Sequence, residues 1–180
     1  MTEKKIHKAF TISDFEKEED FLREQHRQGY ELTSYTGLTC YRFKKCEPKD
    51  VVYRLDYFGA KNGDKVAYIQ MFRDYGWEYL FDRFGWSYFR KEVTEGEDVE
   101  IFSDNQSRVN LVEKVMKTRM LPILVLFLCI VLPQFSNSVF QFGVGLKIFW
   151  LAIFAIYVYL IIHCGLGLLR LKKKYETAAK

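Results

Sequence analysis

Apolar and polar positions divide this chain in two. Up to about residue 118 the apolar residues come in short runs broken by charge. Beyond it lie two long uncharged tracts: no charged residue stands between Arg119 and Lys147, and none between Lys147 and Arg170. Ile148–Leu169 supplies 22 mostly apolar residues, and a helix of about 20 crosses a bilayer. Leu121–Leu132 is strictly apolar but gives only roughly 18 Å of helix. Counted from Arg119 to Phe135 it reaches about 25 Å, which spans with bilayer thinning or with snorkelling by Arg119; a re-entrant hairpin is the alternative. Pro122 suits a first helical turn, and Gln134–Asn137 reads as a polar turn.

The N-terminal part repeats itself. Gly29-Tyr30-Glu31-Leu32 returns as Gly76-Trp77-Glu78-Tyr79, an offset of 47. A helical pattern precedes each, over Asp14–Gln28 and Asp64–Tyr75, and a strand pattern precedes each helix, over Ile6–Ile12 and Val51–Phe58. Ser13 or Asp14 caps the first helix, Phe15, Phe21 and Leu22 form its apolar stripe, and Gly29 and Gly76 stop the two helices. Each repeat ends in a strand opened by Gly37 or Gly85, Tyr41-Arg42-Phe43-Lys44 and Tyr88-Phe89-Arg90-Lys91. Cys46–Asp50, a polar turn with Pro48, joins the middle strands as a hairpin. The order β-α-β, β-α-β predicts an α+β fold: a ferredoxin-like βαββαβ sandwich with four antiparallel strands and two helices on one face. The expected layout is that domain over 1–100, a linker helix over 101–118, spans over 119–135 and 148–170, an outer loop over 136–147 and a basic tail over 171–180. In the linker, Ser103 or Asp104 caps a helix with Val109, Val112 and Met116 on its apolar side.

Charge sets the sidedness. Arg108, Lys114, Lys117 and Arg119 precede the first tract, Arg170, Lys172, Lys173 and Lys174 follow the second, and the loop between holds only Lys147. The positive-inside rule puts both termini in the cytoplasm of a multi-pass membrane protein. Met1–Phe10 lacks the apolar region of a signal peptide. The net charge of +4 splits unevenly: residues 1–118 hold 20 Lys and Arg against 22 Asp and Glu, while residues 119–180 hold 7 against 1. The basicity belongs beside the membrane, where Arg170, Lys172, Lys173 and Lys174 meet anionic lipid. A slightly acidic N-terminal part argues against nucleic acid.

No catalytic, cofactor or metal pattern stands out. Cys40, Cys46, Cys129 and Cys164 have no zinc spacing, and His7, His26 and His163 pair with no nucleophile at a recognised spacing. No glycine-rich phosphate loop follows a strand. His163 is the intramembrane polar candidate; a neutral or snorkelling histidine near the interface is its plainer reading. Tyr30, Tyr41, Tyr57, Trp77, Trp86 and Tyr88 crowd the strands and turns, and an open sheet face rich in such rings suits a protein partner or self-association. Core packing is the competing role for each.

The two Gly-aromatic-Glu turns, the Tyr-Phe-Arg-Lys strand and Ile101-Phe102-Ser103-Asp104 together resemble the bacterial family called domain of unknown function 2812, over about residues 5–118. That resemblance implies a small membrane-anchored protein of Gram-positive bacteria whose gene neighbours a PadR-type transcriptional regulator. The family has no assigned activity, so no catalytic residue carries over. The combined expectation is a membrane-anchored regulatory or adaptor protein, not an enzyme, binding a partner such as that regulator. An accessory subunit of a transporter or cell-envelope complex is the second reading.

Overall fold

A computed structural model describes residues 3–58, 64–93, 105–133 and 144–178. The chain divides into two compact units, Met1–Ser103 and Asp104–Lys180.

The first unit is α+β. Its elements are β1 (Glu3–His7), α1 (Phe15–Arg27), β2 (Tyr30–Thr36), β3 (Cys40–Lys45), β4 (Val51–Tyr57), α2 (Lys65–Asp74), β5 (Glu78–Arg83) and β6 (Trp86–Glu92). Each repeat is therefore β-α-β-β. The strands form two antiparallel three-stranded sheets, ordered β1-β3-β2 and β4-β6-β5. This replaces the expected four-stranded sheet. Gly37 and Gly85 do not open single strands; both have positive φ and turn hairpins, so β2 and β5 are strands in their own right. Their alternation is hidden by a bulge, since Thr33 and Leu80 are each an extra residue against the partner strand. The Cys46–Asp50 turn joins strands of different sheets instead of a hairpin.

Both helices stop where the glycines dictate. Gly29 and Gly76 have φ of 82° and 81°, which glycine adopts without Cβ strain. Asp64 caps α2, its carboxylate accepting from the N–H groups of Val66 and Ala67. Asp14 holds the cap position of α1, but its side chain turns back to the Thr11 hydroxyl and the Lys17 ammonium.

Helix α1 lies over its own sheet and also against β4 of the second. Phe21 meets Tyr41 and Phe43, while Phe15 packs on Trp86 at 5.2 Å. Leu22 is fully buried, worth about 1.5–3 kcal/mol for a side chain of this kind. The second sheet is covered on both faces: Val52, Phe72, Trp77 and Phe89 form a core under α2, and Tyr53, Leu55 and Tyr88 are buried on the opposite side. β4 is an edge strand, and its Leu55 N–H is satisfied by the Glu19 carboxylate at 2.8 Å.

The second unit is helical. α3 (Asn105–Val115) runs through a π turn (Met116–Met120) into α4 (Leu121–Leu126) and a second π turn (Phe127–Val131); α5 (Val144–Ala178) is a single 35-residue helix. Contacts pair the two segments in opposite order: Glu113 with Lys172 at 2.7 Å, Met120 beside Gly165, and Phe127 with Phe154 at 5.5 Å. On α3 the buried residues are Val109, Leu111, Val112 and Val115; Met116, expected on that stripe, is only half-buried. Within α5, Lys147–Ala178 is long and apolar enough to cross a membrane, and among the described residues it is one such helix. Leu151, Ile156, Leu160 and Ile162 on it are exposed, as lipid-facing side chains would be. The expected caps Ser103 and Asp104, and most of the 136–147 loop, lie outside the described residues.

Candidate functional site at the junction of the repeats

The repeated Gly-aromatic-Glu turns bring two carboxylates to one place. Each glycine swings the chain from helix into edge strand, so that Glu31 and Glu78 stand at equivalent positions on β2 and β5. Lys44 faces Glu31 across the first sheet, and Arg90 faces Glu78 across the second. Arg90 then joins the halves. Its Nε and Nη2 donate to Glu78 at 2.6 and 3.0 Å, and its Nη1 donates to Glu31 at 2.7 Å. Lys44 closes the row on Glu31 at 2.7 Å. A forked guanidinium suits this bridging; a lysine at position 90 would lose the bidentate half.

Beside this row is a cleft of about 380 Å³, lined by His26, Cys46, Lys49, Lys91 and the Arg90 cluster. His26 is buried, with Nδ1 2.8 Å from the Tyr53 hydroxyl, which also accepts the Leu32 N–H. Burial, and then the nearby Arg90 charge, push the imidazole pKa down, so its neutral form is favoured. Burial pushes the Cys46 thiol up. Among the described residues no group of three His, Cys, Asp or Glu is placed to hold a metal.

A second node lies deeper. Glu18 on α1 accepts from the hydroxyls of Tyr41 at 2.8 Å and Tyr88 at 2.6 Å, one from each sheet. Burial raises the Glu18 carboxyl above its ordinary range, against the pull of those donors. At the turn between the repeats, Asp50 accepts from both Arg23 and Arg27 through their Nε and Nη2 atoms, at 2.7–3.0 Å. These bonds hold its pKa far below the usual carboxylate range.

The aromatic residues expected on an open face are elsewhere. Tyr41, Tyr57, Trp77, Trp86 and Tyr88 are all buried. Strand alternation sends Tyr41 inward and Arg42 and Lys44 outward, and the doubly covered second sheet has no open face for Trp86 or Tyr88. Tyr30 alone of the six is half-buried, with the Lys4 ammonium over its ring at 4.1 Å. His163 is exposed on α5 and stacks on Tyr159 at 5.5 Å. Lys172 pairs with Glu113 and Glu176, while Arg170, Lys173 and Lys174 share the same end of α5. No sequence pattern groups Glu18, Glu31, Glu78, Arg90 and His26. The offset of 47 between the two glutamates was their one visible signal.

No curated protein and no solved structure matches the chain. A family model described as protein of unknown function (DUF2812) matches residues 14–125, from the start of α1 through the second repeat into α4. With more than half its length so matched, the chain belongs to that family.

Proposed function

We propose that this is a membrane-anchored regulatory or adaptor protein whose N-terminal unit binds another protein in the cytoplasm. The observation that carries this reading is the pairing, in one chain, of a stapled α+β unit with α5, whose apolar side chains lie exposed for most of its length. On the N-terminal unit, the large side chains Met71 on α2 and Tyr75 just past its C-terminal end are exposed four residues apart, a better contact surface than the buried rings. The family resemblance suggests a PadR-type transcriptional regulator as the partner. In this reading residues 119–135 and 148–170 form a two-helix membrane hairpin with both termini cytoplasmic, and the α5 cations meet anionic lipid of the bacterial membrane.

Reporter fusions test the topology. A periplasm-type or surface reporter should be active at Asn137 and silent at Lys180; activity at Lys180 would rule the hairpin out. Affinity capture of the detergent-solubilised full chain tests the role. A transcriptional regulator recovered by the native protein and lost with Met71→Ala/Tyr75→Ala at unchanged melting supports the adaptor. Recovery of transport or envelope components in its place favours the accessory-subunit reading.

A further inference from the structure

The tips of the two hairpins, β2–β3 and β5–β6, stand side by side. Arg83 donates from Nη2 to the Gly37 carbonyl, and its guanidinium lies 4.2 Å from the Phe84 ring centre and 5.6 Å from that of Tyr35. At these tips Leu38 is 76% exposed and Phe84 48% exposed. Phe84 also has φ of 49°, a left-handed conformation that bulky side chains rarely take. A two-residue turn ending in Gly85 is ordinarily served by Asn or Asp at that position. A strained, outward-facing phenylalanine points to a use at the surface.

Charge on the outer face of the first sheet is graded toward the same tips. Glu3, Lys5 and His7 stand opposite Lys44, Arg42 and Cys40. Near Lys44 the cross-strand neighbours are the carboxylates Glu3 and Glu31. Nearer the tip Arg42 faces Lys5 on one side and Ser34 on the other. Like charges directly opposite one another destabilise a sheet. Among the described residues no carboxylate forms an ion pair with Lys5, Arg42 or Arg83. The Nε atoms of Arg42 and Arg83 are buried without a hydrogen-bond partner.

We propose that this tip docks on the surface of an anionic phospholipid bilayer, Leu38 and Phe84 entering among the headgroups and Lys5, Arg42 and Arg83 meeting lipid phosphates. The proposal rests on the membrane-anchored reading for what brings the unit to a bilayer. Apolar side chains set in front of cations match the graded polarity of a lipid interface. The same arrangement fits a nucleic-acid backbone poorly, because a phosphate strand offers no apolar layer for Leu38 and Phe84 to enter.

The full chain decides it, with its four native cysteines replaced and one new cysteine carrying an environment-sensitive fluorophore, at Leu38→Cys or at Ile156→Cys. Each protein is reconstituted into phosphatidylcholine vesicles with or without phosphatidylglycerol, containing lipid brominated in the acyl chains. The Leu38→Cys label should shift to the blue and be quenched in vesicles containing phosphatidylglycerol. The quenching should fall about threefold or more in high salt, which screens the attraction, and likewise in the Arg42→Glu/Arg83→Glu background. A Leu38→Cys label with water-like emission in phosphatidylglycerol vesicles overturns the docking. In that event a quenched Ile156→Cys label leaves the membrane anchor standing, and an unquenched one removes it as well. Salt-insensitive quenching at Leu38→Cys, equal in both lipids, overturns the role of the cations.

Discussion

At the scale of single residues, two carboxylates titrate in opposite senses. Glu18 has its folded pKa raised by burial. Its contribution to stability is complete below the ordinary glutamate pKa and is lost as pH rises through the raised value. Asp50 has its folded pKa depressed by Arg23 and Arg27, so its contribution exists above the ordinary aspartate pKa and is lost as pH falls through the folded value. Thermal unfolding of the full chain in detergent should separate them. Glu18→Gln should gain on the native protein as pH is raised from about 4 to 7; a flat difference would show that folding leaves the Glu18 pKa unshifted. Asp50→Asn should cost about 1 kcal/mol near neutrality, since both partners are partly exposed. That loss should shrink in acid; a deficit that persists there would assign it to something other than the ion pairs.

Among elements, the two glycine turns share one conformation but differ in surroundings. A Cβ at Gly29 would lie 3.1 Å from the Cys46 carbonyl oxygen, whereas at Gly76 it would lie 3.4 Å from the flexible Lys91 side chain. Both alanine variants should lose roughly 1–2 kcal/mol to the left-handed backbone, and Gly29→Ala should lose more in the same unfolding assay. Equal losses would mean that the Cys46 backbone yields. These turns were legible in the sequence because glycine is the residue such a conformation selects. So were the approximate bounds of α1 and α2, and the apolar character of α5. The sheet pairing was not. Thr33 and Leu80 each insert one residue into an edge strand and break the two-residue alternation by which a strand is recognised. The aromatic residues misled for a related reason. Their spacing shows that Tyr41 and Arg42 point to opposite faces, but which face a helix covers depends on the other half of the repeat. Arg90 was invisible as a junction residue, because its meeting with Glu31 bridges 59 residues of chain.

For the whole molecule, the placement of α1 has a consequence for assembly. It belongs to the first repeat, yet Phe15, Glu19 and His26 engage the second, through Trp86, Leu55 and Tyr53, and Arg23 engages Asp50 at the end of the connection. Nothing in those contacts requires the two halves to come from the same polypeptide. Only the short connection from Cys46 to Asp50 folds them back on each other. Were that connection too short to turn, the first half of one molecule would find the same partners on the second half of another. Two chains would then close into an exchanged dimer that reproduces the contacts of α1 with the second half, losing only what the connection itself supplies, such as the Lys49–Glu92 ion pair. Deleting Glu47–Lys49 should convert the purified protein into such a dimer, seen as a doubled protein mass in detergent by light scattering, with melting close to that of the native chain. A deletion variant that stays monomeric and melts far lower would show that the halves need their own tether. The repeat that builds this unit thus also holds the means of joining two copies of it.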